Sequence, residues 1–99
     1  MNANHSVFHC YQRTIWRAVI FYSDIDHLMY FTVYCTKAVR YNIKVFKLVQ
    51  MPDHLHHSLM EMEKNGISRF LQDVISTFTR EYNKAYKRSG RLFDADVLL

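Results

Sequence analysis

The chain has 99 residues, of which 49% are hydrophobic and 15% aromatic, and its net charge is +4. This composition predicts one small folded domain over residues 1–99 and excludes a disordered polyelectrolyte. No apolar run approaches the roughly 20 residues that a membrane span needs, and no signal peptide is evident at the N-terminus.

The first half of the chain predicts a strand, a helix and a second strand. Val7 to Arg13 predicts a strand, and Ile15 to Tyr22 predicts a turn with a short strand. Ser23 is a candidate N-cap for a helix that ends near Tyr41. The helical spacing of its apolar positions predicts the buried stripe Ile25, Leu28, Met29, Thr32, Cys35, Thr36 and Val39.

The second half predicts two more strands and the longest helix. Ile43 to Gln50 is rich in β-branched and aromatic residues, and Leu55 to Met62 follows a Met-Pro-Asp turn. From about Ser68 to Ser89 the apolar residues recur with a helical period, and Arg91 to Phe93 begins a last strand. The apolar stripe of this helix is Ile67, Phe70, Leu71, Val74, Ile75, Phe78, Tyr82, Ala85 and Tyr86.

The order β, α, β, β, α, β is that of the α+β ferredoxin-like split βαβ sandwich. Both helices are then expected on one face of an antiparallel sheet, which leaves the other face open. The two cysteines, Cys10 and Cys35, lack CxxC spacing and predict buried thiols in the reducing cytoplasm.

The segment Met51-Pro52-Asp53-His54-Leu55-His56-His57 carries the strongest functional signal. In a strand, His54 and His56 share one face with Cα atoms roughly 6.5–7 Å apart, so that both imidazoles can bind one metal ion. On a helix the same spacing would separate them. His57 points to the opposite face and is not counted as a ligand. The alternative is two half-buried strand histidines that only hydrogen-bond to neighbours.

Basic residues cluster near the end of the second helix. From Arg69 to Arg91 there are six basic and two acidic residues, which accounts for the whole net charge. A localised basic surface indicates nucleic-acid binding, and the alternative is a solvated helix end that suits the helix dipole. The candidate DNA-binding residues are Arg80, Lys84, Lys87, Arg88 and Arg91.

Four segments in order resemble the HUH single-tyrosine transposases, in which U is a hydrophobic residue, and above all the REP-associated tyrosine transposase branch. They are Phe8 to Thr14, Met51 to His56, Ser68 to Gln72 and Arg80 to Phe93. The resemblance implies cleavage and rejoining of single-stranded or hairpin DNA through a 5′-phosphotyrosine link. It also implies that His54 and His56 hold Mg²⁺ or Mn²⁺ against the scissile phosphate. Some relatives dimerise, so a homodimer is a further expectation.

The family's nucleophilic tyrosine and third metal ligand lie on a helix after the segment that matches Gly90 to Phe93. Both are therefore expected beyond Leu99, and no catalytic residue is assigned here. Tyr82 and Tyr86 continue the apolar stripe and are expected to pack. Three hypotheses remain: the N-terminal part of a transposase, a stand-alone nucleic-acid-binding module with a residual metal site, and a nuclease with an unidentified nucleophile.

Overall fold

The computed structural model describes residues 6–94 and 97–98. They form an antiparallel sheet with the strand order β2-β3-β1-β4 and two helices. This arrangement confirms the predicted α+β ferredoxin-like fold. The elements are β1 (Phe8–Arg13), α1 (Asp24–Arg40), β2 (Ile43–Met51), β3 (His54–Glu61), α2 (Gly66–Tyr86) and β4 (Val97–Leu98).

Strand β3 lies inside the sheet, between β2 and β1. His54 pairs with Arg13 of β1 and with Met51 of β2, across the tight turn at Pro52 and Asp53. Successive side chains alternate, so that Leu55 is fully buried under the helices whereas His56 is exposed. We call the sheet face without helices the open face.

The helical face of the sheet is closed by aromatic side chains from both helices. Tyr30 and Tyr34 of α1 meet Phe70 and Phe78 of α2, and all four are buried. Burial of these large rings removes apolar surface from water and stabilises the fold.

The predicted buried stripe of α1 is wrong. Leu28 and Val39 are 61% and 83% exposed, whereas Tyr30, Val33 and Tyr34 face the sheet. Helix α1 carries apolar residues on two opposite sides, and the larger aromatic rings occupy the core. Cys35 lies on the outward side and is exposed, contrary to prediction, whereas the thiol of Cys10 is buried and both are free.

Helix α2 begins and ends earlier than predicted. It starts after Asn65, where the N–H of Ile67 donates to the carboxylate of Glu61, so that Ser68 is not the cap. It ends at Tyr86 because Lys87 adopts a left-handed conformation with φ of 53°. The predicted stripe is buried at Ile67, Phe70, Leu71, Val74, Phe78 and Tyr82, as expected. Its last two members, Ala85 and Tyr86, are exposed, contrary to prediction.

Two predicted strand segments are not strands. Residues 15–17 form a single 3₁₀ turn, and Phe93 makes one isolated bridge with Thr14. Ile20, Phe21, Leu92 and Phe93 of these segments are buried in the core, whereas Trp16, Val19 and Tyr22 are exposed. The hydrophobicity of the four buried residues reflects core packing and not strand pairing. None of the helices in the described part of the chain is long and apolar enough to span a bilayer.

Candidate functional site

His54 and His56 lie side by side on the open face of β3. Their ring centres are 5.0 Å apart and the rings are nearly perpendicular, at 87°. Metal–nitrogen bonds of about 2.1 Å to both rings would give ring centres about 4.6–5.3 Å apart, for angles of about 90–110° at the ion. The distance between the ring centres therefore agrees with one divalent ion shared by the two imidazoles.

Asp53 fixes the orientation of the His54 ring. Its Oδ1 lies 2.8 Å from Nδ1 of His54. Because a carboxylate only accepts, Nδ1–H donates, and the lone pair of Nε2 is left for a ligand. This hydrogen bond lowers the pKa of the Asp53 carboxyl. The other carboxylate oxygen lies 3.7 Å from Nε of Arg17.

The ring of Tyr11, on the neighbouring strand β1, contacts both histidine rings. It faces His56 across β1 and β3, and its ring centre is 5.6 Å from that of His54 and 5.0 Å from that of His56. Within the described residues, no group of three or more histidine, cysteine, aspartate and glutamate side chains converges on a common metal position. Two protein ligands would leave the remaining coordination positions to water and phosphate oxygens.

His57 faces the core, as predicted, and both of its ring nitrogens have hydrogen-bond partners there. Its Nδ1 lies 2.8 Å from the Tyr34 hydroxyl, and its Nε2 lies 2.9 Å from Oε1 of Gln12. Burial lowers the pKa of His57 to about 4. The ring is therefore neutral at pH 7, with Nε2–H donating to Gln12 and Nδ1 accepting from Tyr34.

A basic cavity of about 350 Å³ adjoins His56 on the open face. Its lining includes His9, Lys47, Val49 and Ser58. His9 and Ser58 are linked by a hydrogen bond of 3.0 Å between Nδ1 and Oγ. The ammonium group of Lys47, the imidazole of His9 and the hydroxyl of Ser58 are groups that can bind an anion such as a phosphate.

The predicted DNA-binding residues do not lie on the open face. Arg80, Lys84, Lys87, Arg88 and Arg91, here called the basic helix end, are all exposed at the end of the helical layer. They nevertheless lie at the same end of the sheet as the histidine pair. The chain from residue 14 to residue 20 joins the two regions, with Ile15 N–H donating to Leu92 O and Ile20 N–H to Pro52 O.

A family model described as IS200-like transposase matches residues 2–95. The chain belongs to the IS200-like transposase family. No curated protein matches it. The match covers nearly the whole chain and confirms the resemblance to the single-tyrosine transposases.

Two solved structures share the fold of this IS200-like transposase. A candidate transposase from Deinococcus radiodurans R1 is 17% identical with a TM-score of 0.75, and the match covers 95% of this chain and 77% of that one. A REP-associated tyrosine transposase bound to a REP hairpin is 10% identical with a TM-score of 0.77. That match covers all of this chain and spans 59% of the other.

Tyr82 of the IS200-like transposase is a core residue, whereas Tyr86 is 45% exposed and contacts the Tyr82 ring at 4.5 Å between ring centres. Tyr82 is buried, its hydroxyl donates to Ile20 O, and burial raises its pKa to about 12. The Tyr86 hydroxyl donates to the buried carboxylate of Asp26, a hydrogen bond that raises the pKa of Tyr86. Neither hydroxyl contacts the histidine pair.

Three residues in or next to the site were not predicted from the sequence: Asp53, Trp16 and Arg17. Asp53 was interpreted only as a turn residue, although an aspartate directly before a histidine was the available signal. Trp16 and Arg17 fall in a segment expected to contain a strand, and both have positive φ values, of 61° and 53°. No residue pattern in the sequence predicts these positive φ values, because they are favourable only with the hydrogen bonds of the folded turn.

Proposed function

We propose that this chain supplies the ion-binding and DNA-binding surface of a tyrosine transposase that acts on single-stranded hairpin DNA. The observation that carries the proposal is the His54–His56 pair, in which the Asp53 carboxylate binds Nδ1 of His54 and leaves the lone pair of Nε2 to a ligand. Family membership supports the transposase assignment, and the structural neighbour bound to a REP hairpin supports the choice of DNA.

The proposed reaction is a transesterification. A tyrosine oxygen attacks phosphorus, a tyrosine–5′-phosphate bond forms, and the bond from phosphorus to the 3′ oxygen breaks. The tyrosine hydroxyl loses its proton, and the leaving oxygen takes up a proton and becomes a 3′-OH. Bound Mg²⁺ or Mn²⁺ would supply charge neutralisation on the phosphate, with His54 and His56 as its protein ligands. Imidazole ligands favour Mn²⁺, since Mg²⁺ prefers oxygen.

The scissile strand is proposed to cross the open face. Lys47 and the His9–Ser58 pair would then contact a phosphate next to the cleaved one, because they line the cavity beside His56. Tyr11 would form the floor under the reacting phosphate. These contacts hold the strand in place and carry no sequence information.

We propose that these 99 residues bind hairpin DNA without cleaving it. Tyr82 and Tyr86 donate to other groups and have raised pKa values, which oppose a phenolate. Tyr11 contacts both histidines. It is therefore the residue to test first if cleavage is seen.

The test is a titration of labelled hairpin DNA with and without Mn²⁺. Wild type should bind more tightly with Mn²⁺, and the double variant His54→Ala, His56→Ala should lose this response. His27→Ala, on α1, is the matched control and should keep it. An equal Mn²⁺ response in the double variant would refute the ion site. A DNA adduct on a denaturing gel, lost in Tyr11→Phe, would refute binding without cleavage.

The second candidate is a nucleic-acid-binding module with no catalytic role, which is favoured by the convergence of only two ligands within the described residues. It predicts that the affinity for hairpin DNA depends on the basic residues and does not change when Mn²⁺ is added. The homodimer and the cytoplasmic location stay predictions. Analytical ultracentrifugation with and without hairpin DNA tests the former, and fractionation of the source cells tests the latter.

A further inference from the structure

Trp16 is the chain's only tryptophan and is 92% exposed. A folded protein normally buries most of such a large apolar ring, or uses it at an interface. Neither the histidine pair nor the basic helix end includes this residue. The roles proposed for those two regions therefore do not account for the exposure of the Trp16 ring.

The turn around Trp16 holds the ring away from the core. Trp16 has φ of 61° and ψ of 17°, a left-handed conformation that is strained for a bulky side chain. Buried Thr14 fixes the turn, since its hydroxyl donates to Ala18 O at 2.7 Å, and Ile15 N–H donates to Leu92 O at 2.9 Å. These hydrogen bonds hold the strained backbone of Trp16 in place, although the conformation leaves the indole ring exposed.

Trp16 stands between two cavities of about 330 Å³ each that are lined by arginines. Arg88 and Arg91 line one, and Arg13 and Arg17 line the other. Arg13 and Arg17 pair with carboxylates. Within the described part of the chain, Arg88 and Arg91 bind only an amide oxygen and backbone carbonyls, so their charges stay available to an anion.

The position of Trp16 also links the two regions of the proposed site. Arg13 pairs with His54 across β1 and β3, and Arg17 contacts Asp53, the carboxylate that orients His54. On the other side, Trp16 shares a cavity with Arg88 of the basic helix end. A strand that reaches from the open face to the helical layer would pass over this ring.

We propose that Trp16 is a stacking platform for an unpaired nucleobase, with Arg88 and Arg91 binding the flanking phosphates. The inference rests on the proposed DNA-binding function and deepens it by naming the residues that contact an unpaired base and its phosphates. An exposed ring between cationic groups matches a base between phosphates, and a base that is stacked inside a duplex cannot offer its face to the ring. Every base can stack on the ring, so this contact distinguishes single-stranded from double-stranded DNA but does not distinguish one base sequence from another.

The fluorescence of Trp16 reports this contact directly, because no other tryptophan contributes. Single-stranded DNA should quench the emission as it binds, whereas a blunt duplex of the same sequence should leave it unchanged. Trp16→Ala should weaken single-strand binding by about 5- to 100-fold, and Trp16→Phe should retain most of the affinity. Phe46→Ala, an exposed aromatic toward the far end of the sheet, is the matched control and should bind like wild type.

The salt dependence separates stacking from charge. Trp16→Ala should leave the slope of log Kd against log salt unchanged, whereas Arg88→Ala with Arg91→Ala should flatten it. The platform alone would be refuted by three results together. Single-stranded DNA would leave the emission of wild type unquenched, Trp16→Ala would bind with full affinity, and the arginine variant would bind more weakly. Failure of wild type to bind single-stranded DNA at low salt would refute the proposed function and the platform together. Circular dichroism of each variant confirms that it is folded.

Discussion

The hydroxyl of Tyr34 on α1 lies 2.8 Å from Nδ1 of His57 on β3, and both side chains are buried. The two rings also stack, with centres 5.3 Å apart. His57 follows His56 directly, so this pair ties the strand that carries the candidate ligands to the helical layer. A polar contact in the core thus fixes the strand whose opposite face presents the histidine pair.

Tyr34→Phe should lower the free energy of unfolding by about 1–3 kcal/mol, because Nδ1 of His57 would lose its donor inside the core. Urea denaturation at pH 7 measures the change. Tyr22→Phe, at an exposed tyrosine, is the matched control and should remain close to wild type. If both variants denature at the wild-type midpoint, the hydrogen bond between Tyr34 and His57 contributes nothing to stability.

Asp53→Ala should weaken Mn²⁺ binding by about 10- to 100-fold, because the His54 ring would lose the carboxylate that sets its orientation. Asp53→Asn should have a smaller effect, since the amide oxygen still accepts from Nδ1–H. Isothermal titration with Mn²⁺ gives both values. Asp24→Ala, an exposed carboxylate on α1, is the control, and equal losses in Asp24→Ala and Asp53→Ala would count against a specific role of Asp53.

Lys84→Ala combined with Arg88→Ala should flatten the salt dependence of hairpin binding by about one to two units of slope, because two phosphate contacts would be lost. Anisotropy titrations over a range of salt concentrations measure the slope. Lys64→Ala, before the other end of α2, removes a positive charge without touching the basic helix end. A slope that responds equally to Lys64→Ala would indicate a diffuse charge effect and not a defined site.

The sequence was sufficient to predict the element order and the face of the histidine pair, because the two-residue period of a strand leaves one choice. It was not sufficient to orient α1, because two sides of this helix carry apolar residues with the same helical period. The side with Tyr30 and Tyr34 is the buried one. Trp16 could not be predicted either. Its exposure follows from a turn that long-range hydrogen bonds to Leu92 and Pro52 define.

Asp73 should make stability depend on acid pH. Its carboxylate accepts from Tyr41 at 2.7 Å and Thr77 at 3.1 Å, and it pairs with Lys37 at 3.3 Å and Arg40 at 3.9 Å. The hydrogen bond from Tyr41, followed by those from Thr77 and Lys37, lowers the pKa of Asp73 in the folded state. The unfolded chain therefore binds the proton more readily, and acid favours unfolding.

Asp73→Asn should cost about 1–2 kcal/mol at pH 7, because the charge-assisted bonds to Lys37 and Tyr41 weaken. The stabilisation by the wild-type carboxylate is complete above the unfolded pKa of about 3.9 and is lost as the pH falls through the lower folded value. The difference between wild type and Asp73→Asn should therefore stay constant from pH 7 to about pH 5 and shrink below pH 4. Urea denaturation across this range measures it, with the exposed Glu81→Gln as the control. A difference that persists undiminished at the lowest pH at which wild type is folded would show that the bonds of Asp73 act independently of its charge.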